Sequence, residues 1–155
     1  MIQRILHEDN ILCLLYLLLI VFLVFNTGVY SDDFVLIPEK RNMGFSELIL
    51  PSKFWIIAPV EHYLLTVWYR FFDINNLIFL ELLKTFYVII SFLFITRFFR
   101  IFLGVHHASM ISFLILFFPS HEATTYAYLG LYQTLNFALY AYAFYLLHHN
   151  RILSG

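Results

Sequence analysis

Four apolar stretches, each closed by a polar, proline or glycine break, limit what this chain can fold into. Ile11 to Thr27 and Tyr126 to Leu147 carry no Asp, Glu, Lys or Arg, and Val105 to Phe118 carries only histidines among its ionisable groups. Leu77 to Thr96 carries one acid and one base, Glu81 and Lys84. An apolar helix rises 1.5 Å per residue and needs about 20 residues to cross a hydrocarbon core of about 30 Å. By that measure the second and fourth stretches span, the first just spans, and the third is short.

Composition agrees. The chain has 155 residues, of which 62% are hydrophobic and 21% aromatic, and only 12% are charged. That is about half the charged share of a soluble domain, roughly 25%. Too few charges remain to cover a water-facing surface, so the class is integral membrane protein. The net charge of -1 argues against a nucleic-acid partner. Cys13 lies inside the first apolar run, so it makes no disulfide framework and stands too early for a lipoprotein cleavage site. The leading MIQRILHEDN sets Glu8 and Asp9 against Arg4, and the run exits through VFNTGVY without a small-x-small site. We therefore read an uncleaved anchor, not a signal peptide.

The expected fold is all-α, a polytopic membrane helical bundle in a single membrane domain, 1–155. It has TM1 at 11–27, an outer loop with an amphipathic surface helix at 28–76, TM2 at 77–96, TM3 at 105–118 and TM4 at 126–147. In the outer loop, GFSELIL opens a short amphipathic piece with Ser46 as its cap. Phe54 to Phe72 is long enough to cross but holds Pro59, Glu61 and His62 in its interior. A charge at mid-membrane costs about 2.5–3.5 kcal/mol, and Trp55, Trp68 and Tyr69 favour the interface. We expect a helix from about Val60 lying on the membrane surface; the alternative is a fifth crossing. Asp73, Asn75 and Asn76 break the chain before TM2. With four crossings, Arg97, Arg100, Arg151 and both termini are cytoplasmic, as the positive-inside rule asks. A fifth crossing would move those three arginines outside. Lys40 and Arg41 are external in both arrangements.

Chemistry concentrates at NTGVYSDDFVLI. Asp32 and Asp33 follow TM1 directly, between Tyr30 and Phe34. Carboxylates at this depth sit where headgroups meet water, a suitable place for a base acting on a lipid-linked substrate; the plain alternative is the start of a solvated loop. His121 and Glu122 fall on the same face, and the short third span recesses their loop. Irregular polar backbone at that depth lines a watery cavity or is covered by protein, so we expect one cavity at the outer leaflet, shared by both acidic loops and walled by TM1, TM2 and the surface helix. His121 and Glu122 would ligate a divalent cation or orient an acceptor; alternatively Glu122 offsets the TM4 dipole. Lys84 would contact a lipid phosphate, or pair with Glu81 one turn away and snorkel to the interface. Lys40 and Arg41 would meet headgroup or donor phosphates, or simply be solvated. His62, beside Glu61, is an acceptor-site candidate. His106–His107 and His148–His149 read as interfacial residues. No Gly-rich phosphate loop, nucleophile elbow or paired-cysteine metal site occurs.

YSDDF after a first membrane helix, a long outer loop with a surface helix, and FFPSHEATTYAYLGLY after a third span together resemble the N-terminal part of GT-C glycosyltransferases. These polytopic enzymes use polyprenyl-phosphate-linked sugars; protein O-mannosyltransferases are among them. The resemblance covers nearly the whole chain. It implies that the acidic pair is the catalytic signature, with Asp32 as base and Asp33 in support. It implies a lipid-linked sugar donor as partner; the substrate-binding candidates, for donor or acceptor, are His121, Glu122, Lys84, His62, Lys40 and Arg41. A divalent cation, Mg2+ or Mn2+, would be held by Asp33 and Glu122. The setting would be the inner or plasma membrane of a bacterium or the endoplasmic reticulum of a eukaryote, with the site on the outer or lumenal face. Family members carry many more spans, so the chain reads as an N-terminal piece of a longer enzyme or a small relative. The chemistry is simple in outline. A carboxylate made more basic by partial desolvation takes the acceptor hydroxyl's proton. Acting on the face opposite the leaving phosphate, it implies inversion. Two other classes remain: a non-catalytic membrane subunit of a cell-envelope glycan machine, and a small transporter. Spans nearly free of ionisable groups count against the transporter.

Overall fold

The computed structural model describes residues 2–25, 27–29, 33–44, 46–47, 68–117 and 128–154. Among these residues the fold is all helical, with α1 at Ile2–Val24, α2 at Asp33–Asn42, α3 at Ile78–Phe99, α4 at Val105–Phe117 and α5 at Tyr128–Ser154. Residues 60–67 of the expected surface helix lie outside the described residues.

α3 is the organising element. It packs against α5, α4 and α1, and α1 also meets α4. Its inward stripe of Leu80, Val88, Phe92 and Ile95 joins Ile20 and Val24 of α1, Leu116 of α4 and Ala138 of α5 in one core. Tyr16 of α1 contacts both Phe92 and Phe113, with ring centroids 6.2 and 5.2 Å away. The pairings fix the helix directions. The exit of α1 meets the start of α3 through Thr27 and Lys84, so these two run antiparallel. Phe94 of α3 stacks on Tyr142 of α5 at 4.3 Å, and Phe98 and Phe102 lie beside Phe144 and Leu147, so α3 and α5 run parallel. α4 returns after the turn at 100–104 and packs against α3 and α1.

α4 turns Ala108, Ser109 and Ser112 inward. Ala108 and Ser112, four residues apart, form a small-residue pair that lets helix backbones approach closely. Hydropathy alone passes over this pair. The opposite helix faces are apolar and open: Phe22 is 79% exposed, Val35 67% and Tyr140 71%. Asp33 and Lys84, by contrast, are fully buried. Charge inside and bare hydrocarbon outside reverse the arrangement that water selects.

One helix among the described residues, α3, is long and apolar enough to cross a membrane. The apolar part of α1, Ile11–Val24, and α4 are shorter.

The loop before α3 is built on local hydrogen bonds. Asn75 N–H donates to Asp73 Oδ1 at 2.9 Å and Asn76 N–H to the Asp73 carbonyl at 2.9 Å, which makes the expected break a tight turn. At the GFSELIL segment Glu47 reaches back to accept the Gly44 N–H at 3.0 Å; the N–H groups that Ser46 would cap lie outside the described residues.

Candidate functional site at the exit of the first helix

α1 ends at Val24, and the next residues are positioned by α3. Thr27 donates its hydroxyl to the Val24 carbonyl at 2.8 Å and accepts Lys84 Nζ at 2.7 Å. Gly28 has φ of +69°, a left-handed conformation that costs a side chain roughly 1 kcal/mol or more. Both its backbone groups are taken by α3: its N–H donates to the Glu81 carboxylate, and its carbonyl accepts Lys84 Nζ at 2.6 Å. Lys84 and Glu81 also pair directly at 3.9 Å. This is the ion pair expected from their spacing. Lys84, however, does not snorkel. Thr27 and Gly28 offer it oxygens at its own depth, so its ammonium stays inside.

Asp33 opens α2 and is fully buried. Tyr69 donates its hydroxyl to Asp33 Oδ1 at 2.5 Å. The Asp33 charge also reaches Lys84. The buried charges at this exit are thus the Glu81–Lys84 pair, seated on Thr27 and Gly28, and Asp33, held by Tyr69. A carboxylate in the first turn of a helix is further favoured by the positive end of the dipole.

A second set of contacts holds the other end of α2. Arg70 donates to the carbonyls of Arg41, at 2.6 Å, and Met43, thereby capping the helix. Arg41 pairs with Asp73 at 2.5 Å. The Arg41 hydrogen bond, then the Asn75 N–H, hold the Asp73 carboxyl below its ordinary range. The pair is therefore intact above the unfolded carboxylate pKa and lost only as pH falls through the lowered folded value. Lys40 pairs with its neighbour Glu39 at 2.9 Å. Lys40 and Arg41 stand seven and eight residues along α2 from Asp33, about 11–12 Å at helical rise. They are engaged locally, apart from these buried charges.

The structure thus brings Asp33 and Lys84 of the expected site together. Asp32, His62, His121 and Glu122 lie outside the described residues, so the expected joint cavity of the two acidic loops does too. Among the described residues no group of three or more His, Cys, Asp or Glu side chains gathers in metal-binding fashion. Asp33 accepts the Tyr69 hydroxyl, which is an anchoring environment for a carboxylate. Sequence reasoning missed Tyr69, Arg70, Thr27 and Gly28. One signal was available: an acid and a base in the first two turns of an apolar helix need partners at that depth, and Thr27–Gly28 ends the preceding span there.

No family model, curated protein or solved structure matches the chain. The reading of function therefore rests on its own residues.

Proposed function

We propose that the chain is a membrane glycosyltransferase, or the N-terminal part of one. It moves a sugar from a polyprenyl-phosphate donor to an acceptor hydroxyl at the outer or lumenal face, with inversion. The bundle crosses four times with both termini cytoplasmic. Its alternating helix directions and its outward hydrocarbon faces support this reading. The observation that carries it is the burial of three charged side chains, Asp33 and the Glu81–Lys84 pair, at the exit of α1. Burying three charged side chains costs several kcal/mol each before pairing, and the contacts at Gly28 and at Asp33 fall on the same stretch of sequence as Asp32. Asp33, tied to Tyr69, is the supporting carboxylate. Asp32 is the base. Lys84 acts as a positioning group whose fixed positive charge favours carboxylates and phosphates nearby.

A second reading is a non-catalytic membrane subunit of a glycan machine. It is favoured by the inward partners of Lys84, because a lysine spent on Thr27 and Gly28 holds a fold together without any substrate. One assay separates the two. Transfer from a polyprenyl-phosphate sugar is measured in proteoliposomes with matched protein levels. General-base catalysis contributes typically about 10²–10⁴-fold, so Asp32→Asn should lose transfer on that scale while inserting normally. Near-wild-type transfer by Asp32→Asn, or no transfer by the wild type across a broad donor panel, leaves the subunit reading in possession.

A further inference from the structure

α5 turns one face to the bundle and one away from it. It packs on α3, and Ala138 and Ala141 are its buried residues. On the opposite side Gln133, Asn136, Tyr140, Ala143 and Leu147 are all exposed. Their spacing is three, four, three and four residues, the 3.5-residue period of a coiled-coil seam. Most of this seam suits hydrocarbon, but Asn136 does not. It makes no hydrogen bond among the described residues. Two observations give its depth. It stands at the middle of the apolar stretch 126–147. Phe94 also stacks on Tyr142, and α3 and α5 run parallel. Stepping back six residues on each helix sets Asn136 level with Val88, at the middle of α3. An amide exposed to hydrocarbon at the midplane pays for its lost hydrogen bonds unless another polar group meets it there.

We infer that this seam pairs with the same seam of a second copy of the chain, the two Asn136 amides bonding to each other. The inference rests on the membrane placement proposed above and is independent of sugar transfer. Self-complementarity selects the occupant. All copies insert in one orientation, so α5 meets α5 in parallel across a two-fold axis along the membrane normal. Each seam residue then faces its own counterpart. An amide carries both donor and acceptor, so it satisfies its own kind. Asn side chains bond across membrane helices in this way, and one Asn on an apolar seam fixes register and partner number. Ala143, seven residues beyond Asn136, is small enough to let the two backbones approach.

The full chain is labelled with donor or acceptor dye at Gly104→Cys in a Cys13→Ser background and reconstituted in phosphatidylcholine vesicles. Energy transfer is followed as protein is diluted into lipid. The labelled chain should show transfer above random encounter, falling along a dimer–monomer curve. Asn136→Leu, at an exposed position that leaves the packing on α3 alone, should weaken the dimer about five- to thirty-fold. Asn136→Gln, which keeps the amide, should retain most of it. Phe22→Ala, on the exposed face of α1, should leave it unchanged. On oxidation, Ala143→Cys in the Cys13→Ser background should form a cross-linked dimer, and Phe22→Cys should not. Transfer no greater than random encounter overturns the inference, including the case in which lipid or another protein's helix covers the seam. Asn136→Leu pairing as tightly as its parent, or Phe22→Cys cross-linking as well as Ala143→Cys, overturns it as well. Alkaline carbonate extraction run alongside distinguishes the failures. A chain that stays in the membrane as a monomer counts against the seam alone, and a chain released from it counts against the membrane placement too.

Discussion

At the scale of single residues, Lys84 carries most of the argument. An ammonium fully buried in the first two turns of an apolar helix is tolerated because each neighbour answers it: Thr27 Oγ1, the Gly28 carbonyl and the Glu81 carboxylate. Removing one member of a buried pair costs about 3–5 kcal/mol, since the other charge is stranded. Lys84→Met should therefore destabilise the chain on that order in detergent unfolding experiments. Adding Glu81→Gln, which keeps an oxygen for the Gly28 N–H, should recover about 1–3 kcal/mol of it. Additive losses in the double variant would mean that the two charges do not act on each other. The Glu81–Lys84 pairing was legible from spacing alone. The burial of Lys84 was not, because depth depends on where the preceding helix stops, and α1 stops at Val24, three residues before its apolar run does.

At the scale of elements, hydropathy located the helices better than it bounded them. TM2 and TM3, read as 77–96 and 105–118, correspond to α3 at Ile78–Phe99 and α4 at Val105–Phe117. TM1 and TM4 were read as 11–27 and 126–147, whereas α1 begins at Ile2 and α5 runs on to Ser154. Hydropathy marks where hydrocarbon is tolerated; backbone hydrogen bonding continues through polar flanks such as RILHEDN and HHNR. α2 was not legible. Its ten residues include Pro38 and four charged groups, a pattern without a clear helical stripe. What holds α2 is tertiary: Tyr69 at its start, Arg70 and Asp73 at its end. Hydrogen bonds to charged groups contribute about 1.5–3 kcal/mol. Tyr69→Phe should cost about that much and lower hydrogen-exchange protection across α2, leaving α4 and α5 unchanged. Protection of α2 equal to wild type would mean that the tyrosine is incidental to its docking.

At the scale of the whole molecule, the all-helical class follows from four apolar stretches, the first two joined by a long outer loop and the others by short breaks; the meeting of the α1 exit with the α3 entrance is a tertiary contact. The acidic loop and the basic ends then lie at opposite ends of the bundle. Asp33, Glu81 and Asp73 are gathered at one end, and Arg97 and Arg100 at the other. A site for a lipid-linked donor on the outer face requires that a membrane separate these two ends. Single cysteines in a Cys13→Ser background test this directly. Val35→Cys occupies an exposed position on α2, and Gly104→Cys a turn position where an added Cβ meets nothing within 4 Å. In intact cells, a membrane-impermeant maleimide should label Val35→Cys at once and Gly104→Cys only after permeabilisation. Labelling of both from the same side, or the reverse order, would contradict the four-crossing arrangement and the outer-face site with it.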